Sequence, residues 1–252
     1  MSATPIALQL FTVRELLAED YVGTLKAAAE VGYEHVQLTG ALPFEGPDMR
    51  ELLDDIGLGV VGIHVGGQNL MDDLDHWIDC AQAVGTRDLV WPYMPDDMRS
   101  TREDWIRTAG TLDQLGARCA EQGVRLSYHN HSFEFERFDG DYGLDLLYEN
   151  SSPEHLLVEL DTYWVKHGGE DPAAYIRRYA GRMPILHVKD MVDDEEQSFA
   201  EIGNGILDWP AIHAAAQEAG VEAYCVEQDR CDRPPLESAA ISLRFLRELM
   251  GD

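Results

Sequence analysis

One phrase recurs along the chain: an alanine-rich helical run, a glycine, then a short apolar strand. It reads "LKAAAEVGYEHVQL", "LLDDIGLGVVGIHV", "CAQAVGTRDLVW", "CAEQGVRLSYHN" and "AAAQEAGVEAYCVEQ". Gly32, Gly57, Gly85, Gly123 and Gly220 stand where a helix closes in the left-handed conformation, and the β-branched and aromatic residues after them suit a buried strand. The segments "IALQLF", "LLVELD" and "MPILHVKD" add three more, so eight strands are expected to begin near residues 6, 33, 58, 87, 124, 155, 183 and 221. A helical pattern follows each, the last being "LESAAISLRFLREL". Strict alternation implies parallel strands joined by right-handed crossovers, and eight repeats close a (β/α)8 or TIM barrel. An open doubly wound sheet is the alternative, but no G-x-G-x-x-G follows the first strand to support it. The 252 residues suit the ~250 that one such barrel uses. No composition break marks a linker, so residues 1–252 are read as a single α/β domain.

With 45% hydrophobic and 26% charged residues, the chain can bury a core and reads as a soluble folded protein. Its formal net charge is -28, and Lys26, Lys166 and Lys189 are its only lysines. Such a surface repels phosphate backbones and anionic lipid, which excludes nucleic acid and membranes as expected partners. The acidic residues are spread along the whole chain, as in a solvated surface adapted to high salt. Cys80, Cys119, Cys225 and Cys231 show no C-x-x-C spacing and are expected to be reduced. No basic leader or ~20-residue apolar run is evident, so a cytoplasmic protein is expected.

In a barrel of this kind the active site lies at the carboxyl ends of the strands. Those ends carry Gln9, Gln37, His64, Trp91, His129 with His131, Glu159 with Asp161, His187 with Lys189, and Glu227 with Asp229. Residues two apart on a strand share a face, and inward is the expected face, because charged groups beneath helices would be costly. Imidazoles and carboxylates converging from four strands suit one divalent cation: manganese, cobalt, magnesium or zinc. Asp161, His187 and Glu227 are the firmest ligands. A lone histidine such as His64 is more often a hydrogen-bonded structural residue. The whole set without a task would cost several kcal/mol for each unpaired buried ion.

The strings "ALQLFTVRE", "YHNHSFEFE", "VELDTYWVKHGG", "RMPILHVKDM", "GNGILDWPAI" and "YCVEQD" resemble the motifs of the sugar phosphate isomerase/epimerase family, the xylose isomerase-like TIM barrels. The resemblance runs from the first strand to the last. It implies a divalent metal at the barrel mouth and a sugar, keto-sugar or cyclitol substrate. Members of this superfamily typically bind the metal with Glu, Asp, His and Glu, the two glutamates also exchanging protons with substrate. Asp161, His187 and Glu227 match the last three, whereas His129 stands at the first position. Either His129 is the fourth ligand or Glu134 reaches back from the next loop, and His129 is preferred.

A cation chelated by a carbonyl and a neighbouring hydroxyl stabilises the enediolate left when the adjacent carbon loses its proton. A sugar isomerase or epimerase is therefore the first reading. A lyase or dehydratase acting on an inosose, keto-sugar or 3-keto-glycoside is the alternative, and a non-catalytic sugar-binding barrel the third. A metal-dependent nuclease is opposed by the charge. Glu159, Glu227 and His131 are candidate bases. Lys189 is either a proton-transfer group with its pKa depressed by the cation, or a partner of Asp190 or another carboxylate. Gln9, His64, Glu134 and Trp164 are candidate substrate contacts, with Trp164 and Trp91 able to stack on sugar or to pack in the core. The loop "SFEFERFDGDYG" is expected either to cover the substrate or to meet a second subunit. With "LDWPAI", read as a strand, it leaves a homo-oligomer open. No P-loop or dense arginine cluster supports a phosphate on the substrate.

Overall fold

Each recurring glycine closes its helix as the phrase requires. Gly32 ends the helix Tyr21–Val31 with φ 113° and Gly220 ends Trp209–Ala219 with φ 78°. Gly57, Gly85 and Gly123 also have positive φ, a conformation in which a side chain would be strained. Aspartates and a threonine open the intervening helices: Asp20, Asp73, Thr101 and Asp208 each accept a backbone N–H from the first turn.

The computed structural model describes residues 4–40 and 42–251. Its eight parallel strands are β1 (Ile6–Gln9), β2 (His35–Thr39), β3 (Gly59–His64), β4 (Asp88–Trp91), β5 (Arg125–His129), β6 (Leu156–Asp161), β7 (Ile185–Val188) and β8 (Ala223–Val226). Each pairs with its neighbour in sequence, and β8 pairs with β1 to close the barrel. The expected eight-stranded TIM barrel is the observed fold. Two helices, Arg102–Glu121 and Pro235–Met250, are the longest of the outer ring. The large apolar core lies between the ring and the barrel wall, while Ala7, Ile185, Ala223 and Cys225 form a small separate cluster.

The register brings the polar residues to matching heights. Gln9 pairs with Gln37, Thr39 with His64, His129 with Glu159, and Asp161 with His187. Trp91 is different: its ring is fully buried against Gly67, where a Cβ would lie 1.8 Å from it, and its Nε1 donates to the Tyr93 carbonyl at 2.7 Å. It is a core residue and does not stack on sugar. "LDWPAI" is not a strand either, because Asp208 caps a helix beginning at Trp209, with Pro210 in its first turn. The loop after β5 packs on its own barrel, with Phe135 buried against Tyr142 and Tyr175. Among the described residues no helix is long and apolar enough to cross a membrane.

Candidate metal centre

At the carboxyl mouth, β5 to β8 bring His129, Asp161, His187 and Glu227 together, their ligand atoms within 4.8 Å of one another. His129 Nε2 lies 3.8 Å from Asp161 Oδ2, and His187 Nδ1 lies 3.2 Å from Glu227 Oε2. Asp161 Oδ2 is buried without a hydrogen-bond partner and has the Lys189 ammonium 3.1 Å away, so its charge is met by a cation and not by a hydrogen bond. Two carboxylates and two imidazoles suit manganese, cobalt or zinc. Burial raises the Asp161 pKa to about 6, against the lowering pull of Lys189.

Lys189 is the cation already present. Its Nζ lies 2.6 Å from Glu227 Oε2, 3.1 Å from Asp161 Oδ2 and 2.9 Å from Asp229 Oδ1, and the residue is 2% exposed. Burial favours its neutral form, but the three carboxylates outweigh burial and hold its pKa well above the usual lysine value. Of the two sequence expectations for Lys189, the pairing with a nearby carboxylate is the one seen. Lys189 holds Glu227 well below the ordinary carboxylate range despite burial. Asp190 is not its partner: that carboxylate accepts from the backbone of Met191, Gly203, Gly205 and Leu207 and from Trp209 Nε1.

Below this level a second cluster shares the same histidines. Glu159 Oε1 lies 2.5 Å from His64 Nε2, 3.0 Å from His187 Nε2 and 3.3 Å from His129 Nδ1. Its Oε2 accepts from Gln37 Nε2 at 2.6 Å. Burial would raise the Glu159 pKa, but the surrounding imidazoles hold it well below the usual range. His64, His129, Glu159 and His187 form a second set whose ligand atoms lie within 4.8 Å.

A cavity of about 310 Å³ opens above the centre, lined by His64, His129, His131, Lys189, Glu227 and Asp229, with Phe11, Thr39, Pro92 and Tyr93 at its rim. Burial and the Lys189 charge push the His131 pKa down to about 3, and its buried Nδ1 has no hydrogen-bond partner. Several residues singled out from sequence lie elsewhere. Glu159 and Gln9 are fully buried and do not line the cavity. Glu134 is also fully buried, accepting from Tyr128 Oη at 2.6 Å and from the His131 backbone N–H at 2.8 Å. Both its oxygens are engaged away from the His129, Asp161, His187 and Glu227 set. Trp164 sits beside the cavity, its ring 5.3 Å from His131 and 5.9 Å from Lys189 Nζ. Tyr93 and Phe11 were not legible as site residues, since both lie past strand ends, where the two-residue period stops. Gln37 was legible as a strand end but not as the partner of Glu159.

A larger opening, of about 580 Å³, lies at the amino-terminal mouth. Its charged groups satisfy one another, Arg125 bridging Asp88 and Glu222 at 2.7 Å, as expected of the face of such barrels that carries stability.

Fold and site together define a (β/α)8 barrel with a buried donor set able to hold a divalent cation at its carboxyl mouth. The chain belongs to the xylose isomerase-like TIM barrel family, whose model matches residues 25–249. It is 28% identical over 175 residues to an inosose dehydratase of Lacticaseibacillus casei, the match covering 62% of this chain and 58% of that relative. The chain thus matches a little over half the length of that curated relative. Among solved structures, a sugar phosphate isomerase/epimerase from Parabacteroides distasonis superposes with a TM-score of 0.84 at 24% identity, covering 98% of this chain and 94% of that one. The IolI protein, whose structure holds a zinc atom, superposes with a TM-score of 0.75 at 13% identity, covering 98% of each chain.

Proposed function

We propose that the chain is a divalent-metal-dependent enzyme that takes a proton from the carbon beside a carbonyl of an uncharged sugar or cyclitol, and that it acts as a lyase, expelling a β-substituent such as water. The observation that carries this reading is the unlike pair lining the cavity: His131, whose buried Nδ1 has no hydrogen-bond partner, and Lys189, whose Nζ reaches Asp161, Glu227 and Asp229. Elimination needs one group that accepts a proton from carbon and another that gives one to the leaving oxygen. Epimerisation inverts one carbon and is better served by two groups of similar proton affinity on opposite faces. A cation held by His129, Asp161, His187 and Glu227 would supply Lewis-acid polarisation of the carbonyl.

The remaining residues have roles consistent with that chemistry. His64 and Asp229 line the cavity and are placed to hydrogen-bond ring hydroxyls. Phe11 and Tyr93, 41% and 50% exposed, offer aromatic faces to the apolar side of a ring. Lys189 is the only lysine or arginine lining the cavity among the described residues, and it is fully paired, which favours a substrate without phosphate. The relationship to inosose dehydratase supports a cyclic ketone bearing neighbouring hydroxyls. Isomerisation or epimerisation is the second reading, favoured by the Glu227 carboxylate, which also lines the cavity and could accept a proton.

The test is incubation of manganese-, cobalt- or zinc-loaded protein with scyllo-inosose and with hexuloses in D2O, followed by mass spectrometry and NMR. Loss of the mass of water supports the lyase. An unchanged skeleton carrying deuterium supports the isomerase or epimerase, and metal-bound protein without turnover or exchange would leave a sugar-binding barrel.

A further inference from the structure

His129 and His187 each have one ring nitrogen in the upper cluster and the other in the lower. His129 presents Nε2 to Asp161 and Nδ1 to Glu159. His187 presents Nδ1 to Glu227 and Nε2 to Glu159 and Gln37. A cation could use either set of nitrogens, and which set it uses depends on where the imidazole protons sit.

The hydrogen-bond chain beneath the site decides this. The backbone N–H of Phe11 donates to Gln9 Oε1 at 3.2 Å, and a backbone N–H can do nothing else. Gln9 must therefore turn its amide nitrogen toward Gln37, donating to Gln37 Oε1 at 2.6 Å. Gln37 in turn donates from Nε2 to Glu159 Oε2 at 2.6 Å. Its Oε1 is left facing His187 Nε2 at 2.6 Å. A carboxylate only accepts, so His187 Nε2 meets two acceptors, Gln37 Oε1 and Glu159 Oε1, neither able to give it a proton. His187 Nε2 must carry the hydrogen, and Nδ1 is the nitrogen free for a metal. His129 Nδ1 lies 3.3 Å from the same Glu159 oxygen, short of a completed hydrogen bond; the facing carboxylate still favours a proton on Nδ1, which leaves Nε2 toward Asp161.

The geometry points to Glu159 as a positioning residue: one carboxylate, oriented through Gln37 and Gln9 by the Phe11 backbone, joins Gln37 in fixing the tautomer of His187 and by its charge favours the matching tautomer of His129, the pair that serves Asp161 and Glu227. The cation then occupies the upper set alone, and the lower His64, His129, Glu159 and His187 set is its support and not a second metal site. Metal-bound histidines commonly donate their other N–H to a carboxylate, and losing that partner weakens metal affinity about 10–100-fold. Here a single buried carboxylate would serve two ligands at once. The inference rests on the proposed metal dependence.

Glu159→Gln is the diagnostic substitution. With its Oε1 toward the imidazoles, the new amide sets its Nε2 against the Gln37 donor; turned the other way, it aims a donor at the imidazole N–H groups. Manganese affinity, measured by competition with a chelating dye, is expected to fall about 10–100-fold. In zinc-loaded protein labelled with 15N-histidine, wild type is expected to show protonated Nε2 on His187 and protonated Nδ1 on His129, and the variant to lose that pattern. The double variant Gln37→Glu with Glu159→Gln returns a carboxylate to His187 Nε2 and is expected to restore the His187 pattern. Should the single variant fail to fold, the wild-type spectrum and metal stoichiometry decide. Unchanged affinity in the variant, weakened affinity with an unaltered nitrogen pattern, the opposite tautomers in wild type, or two bound ions per chain would each overturn the assignment. Wild type that binds no metal would overturn the metal reading itself.

Discussion

Replacing Lys189 by methionine tests whether the ammonium and a bound cation compete for the same carboxylates. Lys189 Nζ meets Asp161, Glu227 and Asp229 at 3.1, 2.6 and 2.9 Å, and two of those residues belong to the upper ligand set. At an effective dielectric of about 20, one contact near 3 Å is worth roughly 5–6 kcal/mol before desolvation. Desolvation consumes much of this, and removing one partner of a buried pair costs about 3–5 kcal/mol because the other is left unpaired. For a chain of this size each kcal/mol moves Tm by about 2–4 °C, so metal-free Lys189→Met is expected to melt roughly 6–20 °C below wild type. A divalent cation replaces the lost charge without having to displace an ammonium. Manganese is therefore expected to recover most of that loss, and to bind the variant at least about tenfold more tightly, a difference of ~1.4 kcal/mol. Differential scanning fluorimetry with and without manganese, paired with calorimetric titration, reads both quantities. Equal melting losses in the two conditions with unchanged manganese affinity would refute the competition.

Glu134→Gln should alter how stability depends on pH. Burial raises the Glu134 pKa from 4.5 to about 8, so its protonated form is favoured in the folded state. That stabilisation is complete below pH 4.5 and is lost as pH rises through 8, a change of roughly 5 kcal/mol. The variant is expected to gain on wild type in Tm as pH rises from 5 to 8.5, and parallel curves would contradict the cause assigned to the shift. Asp190→Ala removes the acceptor of four backbone N–H groups and one indole. A loss of about 3–5 kcal/mol is expected, with faster amide exchange confined mainly to residues 191–209; uniform protection across that segment would contradict it. With a net charge of -28, Tm is expected to climb when salt rises from about 0.1 to about 1 M, as the Debye length shortens from ~10 to ~3 Å. A falling Tm would remove the argument for adaptation to salt.

Much of the architecture was legible because it is written locally. A glycine after an alanine-rich run marks a helix end wherever it occurs, and eight such units admit few topologies. The same locality explains the errors. Trp91 has the right period to be inward at a strand end, yet it packs outside the barrel wall against Gly67, because period two says which residues share a face and not which face is inside. Trp209 was read as part of a strand, but its Asp-Trp-Pro start is a helix entry whose indole is claimed by Asp190. Glu159 in "LLVELD" and Glu134 in "YHNHSFEFE" are both fully buried carboxylates that follow or end a strand. One lies under three imidazoles and the other against a tyrosine.

By itself, then, the sequence determined the eight-fold β/α repeat, the polar strand ends and their grouping by strand, along with the acidic character of the whole surface. These follow from spacing, capping and composition, which act over a few residues. Only the tertiary structure decided that Lys189 sits among Asp161, Glu227 and Asp229, that Glu159 is shut beneath the histidines, and that Gln9 and Gln37 orient it. Those contacts join residues 28 to 150 positions apart, and they depend on strand register and barrel closure. Closure sets the height of each side chain relative to those on strands distant in the chain, and no local pattern carries that information.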